Sequence, residues 1–325
     1  MTRGAVLDLG SSSFQLLVCD MGRSRGLRPI LKRQTLLNLG LEVGSAGAIS
    51  PGRSAASVAA ARCLRRALDR ANADFVLPLA TAALRDASNG AEVVAHLEHA
   101  IGARIRVLDG DEEARLCFVG QRGGVYVGES ATLGIDLGGG SFQLAVGNCF
   151  DIYQAASAPV GPTRLKGELQ AGDLLDSGVR KEVRERVREA IEAMNCRLDR
   201  YPHVASRTVV SGGTARALAR LAIAKTRGYA GAPGWGVNQV ELAAGQVADL
   251  AERLAQLDLR RRRQLPGMPA RRAVVLPLGA CVLQAIAEEL AIEHFVVSAW
   301  GLREGALLDE LSTCRTSSWP EEQVG

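Results

Sequence analysis

Apolar positions along the chain switch between two spacings. Ala5–Leu9 form a short apolar run, and beyond the turn Gly10–Ser13 the apolar residues Phe14, Leu16 and Val18 recur every second position. This pattern predicts two β-strands, over 5–9 and 14–19, around the turn. Nearly the same eleven residues return later, DLGSSSFQLLV at 8–18 becoming DLGGGSFQLAV at 136–146.

Between the two copies, Ser54 precedes an alanine-rich stretch predicted to be helical to about Asn72. FVLPLAT (75–81) reads as a strand, GAEVVAHLEHAIG (90–102) as a helix, RIRVL (104–108) as a strand and EEARLCFVGQR (112–122) as a short helix. In 179–194, Val179, Val183, Val187, Ile191 and Met194 mark one apolar helix face. TVV (208–210) then reads as a strand, SGGTARALARL as turn and helix, 240–257 and 280–292 as amphipathic helices, and 294–311 as strand, turn and closing helix. Strands and helices alternate in two similar halves, which predicts a duplicated α/β fold with a cleft between the halves. The glycine-rich stretch 123–129 marks the boundary. The domains are therefore 1–125 and 126–312, with the closing helix 302–312 packing back on the first and 313–325 a loose tail.

The turns carry the candidate chemistry. A Rossmann or Walker glycine turn feeds a helix, whereas these feed a second strand, so a dinucleotide fingerprint does not apply. Gly10, Gly138, Gly139 and Gly140 offer backbone amides that an anion can approach closely and allow positive φ. Ser11, Ser12, Ser13 and Ser141 add hydroxyl donors. Asp8 and Asp136, each just ahead of its turn, can hold a hydrated Mg²⁺, which uses few carboxylates. Glycine and serine are common in hairpin turns for steric reasons alone. It is the repetition, aspartate included, that points to one polyphosphate held from two sides.

The bulk properties narrow the class. With 325 residues, 47% hydrophobic and 23% charged, the chain is globular, and its net charge of +4 does not call for DNA as a partner. No apolar run reaches the ~18–20 residues of a membrane span, and no signal-peptide pattern opens the sequence, so a cytoplasmic protein is expected. Seven cysteines without a C-x-x-C pair suggest neither a disulfide framework nor a zinc site. His96, His99, His203 and His294 show no metal-ligand spacing.

The motifs LDLGSSSFQLLV, ATAALRDASN (80–89), LDGDEEARL (108–116), IDLGGGSFQL, APVGPTRL (158–165), SGGTARALA (211–219) and SAWGLREGAL (298–307), in this order, resemble the exopolyphosphatase / guanosine pentaphosphate phosphatase (Ppx/GppA) family. That family lies within the actin, sugar-kinase and heat-shock ATPase superfamily. The resemblance runs from about residue 4 to 312 and corresponds to the short two-domain form. It implies two actin-like (ribonuclease H-like) domains and a Mg²⁺-dependent hydrolase releasing terminal phosphate from inorganic polyphosphate or pppGpp. Carried over residue by residue, it implies Glu113 as the carboxylate that activates water, Arg85 as a phosphate clamp and Asp136 as the metal-associated aspartate. Gly213 and Thr214 are implied as a further cleft-lining turn. Without the resemblance, Glu112 and Glu113 read as acids favoured in a first helical turn and Arg85 as a surface cation.

Four positions depart from the family pattern. Ser12 stands for a usual Asn, Gln15 for a frequent His, and Val274 where an Arg-Ala-Asp pattern often continues. Gln143 replaces a glutamate thought to position water or metal; an amide hydrogen-bonds water but cannot take its proton, which leaves Glu113 alone as base. Two alternatives follow: a weakly active member that binds polyphosphate or nucleotide, and an ATP-dependent kinase of the same superfamily. The arginine run 260–263, with Arg271 and Arg272, reads either as a solvated loop or as a polyanion track, which a homodimer would extend.

Overall fold

The computed structural model describes residues 2–22, 26–198, 206–227 and 236–316. His203 and residues 317–325 lie outside them. The first half runs β1 (Thr2–Leu9), β2 (Ser13–Gly22), β3 (Gly26–Leu36), α1 (Leu39–Ala46), α2 (Pro51–Ala71), β4 (Phe75–Ala80), α3 (Ala82–Asp86), α4 (Gly90–Ile101), β5 (Arg106–Val107) and α5 (Gly110–Gly124). The second runs β6 (Thr132–Leu137), β7 (Phe142–Gly147), β8 (Ile152–Ala158), α6 (Pro162–Glu168), α7 (Ser177–Leu198), β9 (Arg207–Gly212), α8 (Gly213–Arg227), β10 (Val240–Ala243), α9 (Ala244–Ala255), α10 (Leu259–Arg263), α11 (Leu276–Glu289), β11 (His294–Val297) and α12 (Leu302–Thr316).

Each half builds one mixed sheet, in the orders β3-β2-β1-β4-β5 and β8-β7-β6-β9-β11-β10. Both start with two antiparallel pairings and continue with parallel ones, and β10 adds an antiparallel edge to the second. The sequence repeat is therefore a structural one: Asp8 pairs with Gln15 as Asp136 pairs with Gln143, on equivalent rungs. This is the duplicated α/β arrangement that the alternation of strands and helices predicts. β1 is central and loses water on both faces. Leu7 and Leu9 join Phe14, Leu16, Leu64 and Leu97 in one core, and Val6 joins Leu17, Leu116 and Leu307 in another. The second half closes around Phe142, Leu144, Val183, Val187, Leu250 and Leu283.

Several boundaries differ from the sequence reading. α2 starts three residues before Ser54, because the Ser50 Oγ accepts from the Arg53 amide and Pro51 follows it at the first helical position. Residues 240–243 form a strand instead of the first turn of a helix, since pairing with β11 outweighs the helical spacing. The closing helix runs to Thr316, four residues into the expected tail. α12 does pack back on the first half, against α5 and β1. Among the described residues no helix is long and apolar enough to cross a membrane.

The halves meet through α1 and α6 and also through α5, which packs against β6, β7 and β8 of the second sheet. A Cβ on Gly44 would stand 2.3 Å from the Arg164 carbonyl oxygen, and one on Gly167 would stand 2.1 Å from that of Leu41. Only glycine lets the two helix backbones approach this closely.

Candidate active site

The helix–helix contact brings the two hairpin turns together. The Ser12 and Thr163 hydroxyls hydrogen-bond at 2.6 Å, and the Gly139 carbonyl oxygen accepts the amide of Thr163. Both turns line one cavity of about 100 Å³, together with Asp8, Glu113 and Asp136.

The glycines act differently from expectation. Gly10, Gly138, Gly139 and Gly140 all have φ outside the left-handed range, so positive φ is not what requires them. At Gly139 and Gly140 crowding is: a Cβ on Gly140 would lie 2.3 Å from the Ser11 Oγ, whereas at Gly10 and Gly138 no atom would stand closer than 3.1 Å. Nor are all the amides available. Gly10 N–H donates to the Ser13 carbonyl and Gly138 N–H to that of Ser141, closing the hairpins. The amides of Ser11, Ser12, Gly139 and Gly140 have no protein acceptor among the described residues and remain for a ligand.

The serines are arranged to donate. Ser11 Oγ accepts from the Ala83 amide, Ser13 Oγ from Gln34 Nε2 at 2.8 Å, and Ser141 Oγ from Gln143 Nε2 at 2.7 Å. With an N–H filling one lone pair, each buried hydroxyl keeps its own proton free. This also locates Gln143. It does not line the cavity but sits behind Ser141, its amide nitrogen shared with the Ser157 hydroxyl and its Oε1 without a partner among the described residues.

Glu113 lies in the first turn of α5, where the Asp109 carboxylate caps the helix by accepting the Glu112 amide. Burial pushes its carboxyl up to about 7, against the pull of Arg85. Arg85 itself is turned to Glu113: Nη1 donates to Oε2 at 3.0 Å and to the Leu108 carbonyl, and Nε donates to Asp86. It is not among the residues lining the cavity. Thr214 is not either; it packs beneath α11, where a Cβ on Gly279 would lie 2.6 Å from its Oγ1.

Three arginines line the cavity, of which the sequence had named only Arg272, beside the arginine run. Arg303, in α12, donates to Gln15 Oε1 at 2.9 Å. Arg216 donates to the Gly212 carbonyl, and Arg272 lies so close over Gly213 that a Cβ there would stand 1.9 Å from its Nη2. Burial pulls Arg216 and Arg272 down to about 10. Arg216 and Arg303 do fall inside the motifs SGGTARALA and SAWGLREGAL, which was the available signal. The arginine run is not a continuous track, because Arg262 is buried with its guanidinium on the Ala273 and Asp173 carbonyls.

Burial pushes Asp8 up to about 6, with further upward pressure from Asp136 and Glu304 against the pull of Arg303; burial raises Asp136 as well, although the Ser211 hydroxyl donates to it. No group of three or more potential metal ligands occurs among the described residues. Two repelling carboxylates beside an anion pocket nevertheless suit Mg²⁺, which binds through one or two carboxylates, water and substrate phosphate.

A buried carboxylate, free amides, buried serine hydroxyls and arginines surround one cavity, a donor set suited to an oxyanion. The model of the Ppx/GppA phosphatase family matches residues 17–314. The chain belongs to the Ppx/GppA phosphatase family. Among curated Ppx/GppA relatives, Exopolyphosphatase 1 of Mycobacterium tuberculosis is 28% identical, over 96% of this chain and 89% of its own length. Exopolyphosphatase 2 of the same species is 29% identical, over 95% and 98%. An exopolyphosphatase structure from Cytophaga hutchinsonii superposes with a TM-score of 0.84 at 22% identity, covering 96% of this chain and 98% of that one. The Aquifex aeolicus family member gives 0.75 at 23%, covering 98% and 99%, so the Ppx/GppA fold extends along the whole described chain.

Proposed function

We propose that this protein is an exopolyphosphatase that releases terminal phosphate from inorganic polyphosphate in the cleft between its halves. The observation that carries this reading is the pair of facing turns whose Ser11, Ser13 and Ser141 hydroxyls each accept an N–H and so keep a proton to donate, around one cavity that Glu113 also lines. The amides of Ser11, Ser12, Gly139 and Gly140 and the hydroxyls bind the terminal phosphoryl oxygens. Arg216, Arg272 and Arg303 neutralise the adjoining phosphates. Glu113 orients a water and takes its proton as the new O–P bond forms and the bridging P–O bond breaks. Asp8 and Asp136 would hold Mg²⁺, which supplies charge neutralisation at the phosphates when bound.

No base-reading pocket is assigned, so pppGpp remains a competing substrate through the same phosphates. The weakly active alternative draws on Gln143, which supports Ser141 but offers no carboxylate to the cavity. Phosphate release from polyphosphate, pppGpp and ATP, each with and without Mg²⁺, tests the proposal. Inertness towards all three, with polyphosphate still bound, would favour the binding member; transfer from ATP to an acceptor would favour the kinase.

A further inference from the structure

Arg85, Asp86 and Arg164 form a line of charge that runs from Glu113, which lines the cavity, across to the other half. Arg85 Nη1 donates to Glu113 Oε2 at 3.0 Å, and its Nε donates to Asp86 Oδ1 at 3.1 Å. The second oxygen of Asp86 accepts from Arg164 Nη1 at 2.6 Å, and Arg164 belongs to α6 of the other half. Arg164 is in turn steadied by Glu168, 3.2 Å from its Nε, and Glu168 by Arg186 at 3.6 Å.

We infer that Asp86 and Arg164 are positioning residues that make the orientation of Glu113 depend on contact between the two halves. A planar guanidinium is fixed only when both of its edges are held. Glu113 and the Leu108 carbonyl hold one edge of Arg85, and Asp86 holds the other. Asp86 is itself the last residue of α3, where the helix carbonyls disfavour a negative charge unless cations compensate it. Arg164 supplies that second cation only while α6 lies against α1. Separation of the halves therefore frees Asp86, loosens Arg85 and releases Glu113, so water is activated only in the closed cleft.

The inference rests on Glu113 being the base, and a double-mutant cycle on inorganic polyphosphate separates the two claims. Arg164→Gln should lower kcat about ten-fold, within the range for coupled neighbours, with KM little changed. Arg164→Lys, which can still reach Asp86 with one donor, should keep most of the activity. In a Glu113→Gln background, Arg164→Gln should cost nothing further. Multiplicative losses, or a loss confined to KM, would overturn the inference. If Glu113→Gln alone turned over normally, the base assignment would fall instead. The same cycle read as Tm without substrate would then decide: non-additive shifts for residues 113 and 164 support the coupling, and additive shifts refute it.

Discussion

Gly139 and Ser12 are packed so tightly that a Cβ on the glycine would stand 2.1 Å from the serine Oγ. Any side chain at 139 must therefore push the two turns apart. Gly139→Val should abolish phosphate binding measured by calorimetry. Far-ultraviolet circular dichroism should stay native, because the Phe142 core lies behind the turn. Native-like affinity would show that the turns do not share one anion.

Loss of the base should separate chemistry from binding. Glu113→Gln is expected to lower kcat by ~10²–10⁴ while leaving KM for polyphosphate close to wild type. Turnover within a few-fold of wild type would remove Glu113 from the mechanism.

Burial of Glu113 also fixes the direction of the pH response. A carboxyl raised from 4.5 to about 7 on folding favours the fold fully below 4.5 and loses that contribution as pH rises through 7. The Tm of the metal-free protein should thus fall between about pH 5 and 8, with Asp8, raised to about 6, adding to the slope. Glu113→Gln should flatten the trend in calorimetric scans. Turnover should move the opposite way, rising with pH as the base ionises. A Tm profile identical in the two proteins would contradict the assignment.

Arg272 and Gly213 should behave as one unit. An alanine at 213 would meet the Arg272 guanidinium at 1.9 Å and displace it from the cavity. Gly213→Ala and Arg272→Gln are each expected to raise KM for polyphosphate by a similar factor, and the double variant to do no worse than either. Independent, multiplying effects in steady-state kinetics would refute this link.

The fold was legible wherever local pattern and tertiary need coincide. The repeat 8–18 and 136–146 names both hairpins, and the face Val183, Val187 and Ile191 names α7, because burial follows the helical period there. β10 was hidden because its strand state comes from pairing with β11, which no local spacing records. At the site, Glu113 and the turns could be found through their motifs. Arg272 could be named only as part of an arginine-rich stretch, since its position over Gly213 depends on how α8 and the segment before α11 meet. The reason for the glycines was likewise invisible, because crowding by Ser11 and Ser12 comes from residues distant in sequence.

The return of α12 to the first sheet has a consequence for biosynthesis. Val6, Leu17 and Leu116 complete their core only with Leu307, so the first-made half leaves the ribosome with part of its apolar surface uncovered. The second sheet, whose last strand β11 ends at Val297, is complete in the chain before α12 begins. A nascent chain arrested before Leu302 has emerged should therefore expose this patch to chaperones, and one released at full length should withdraw it.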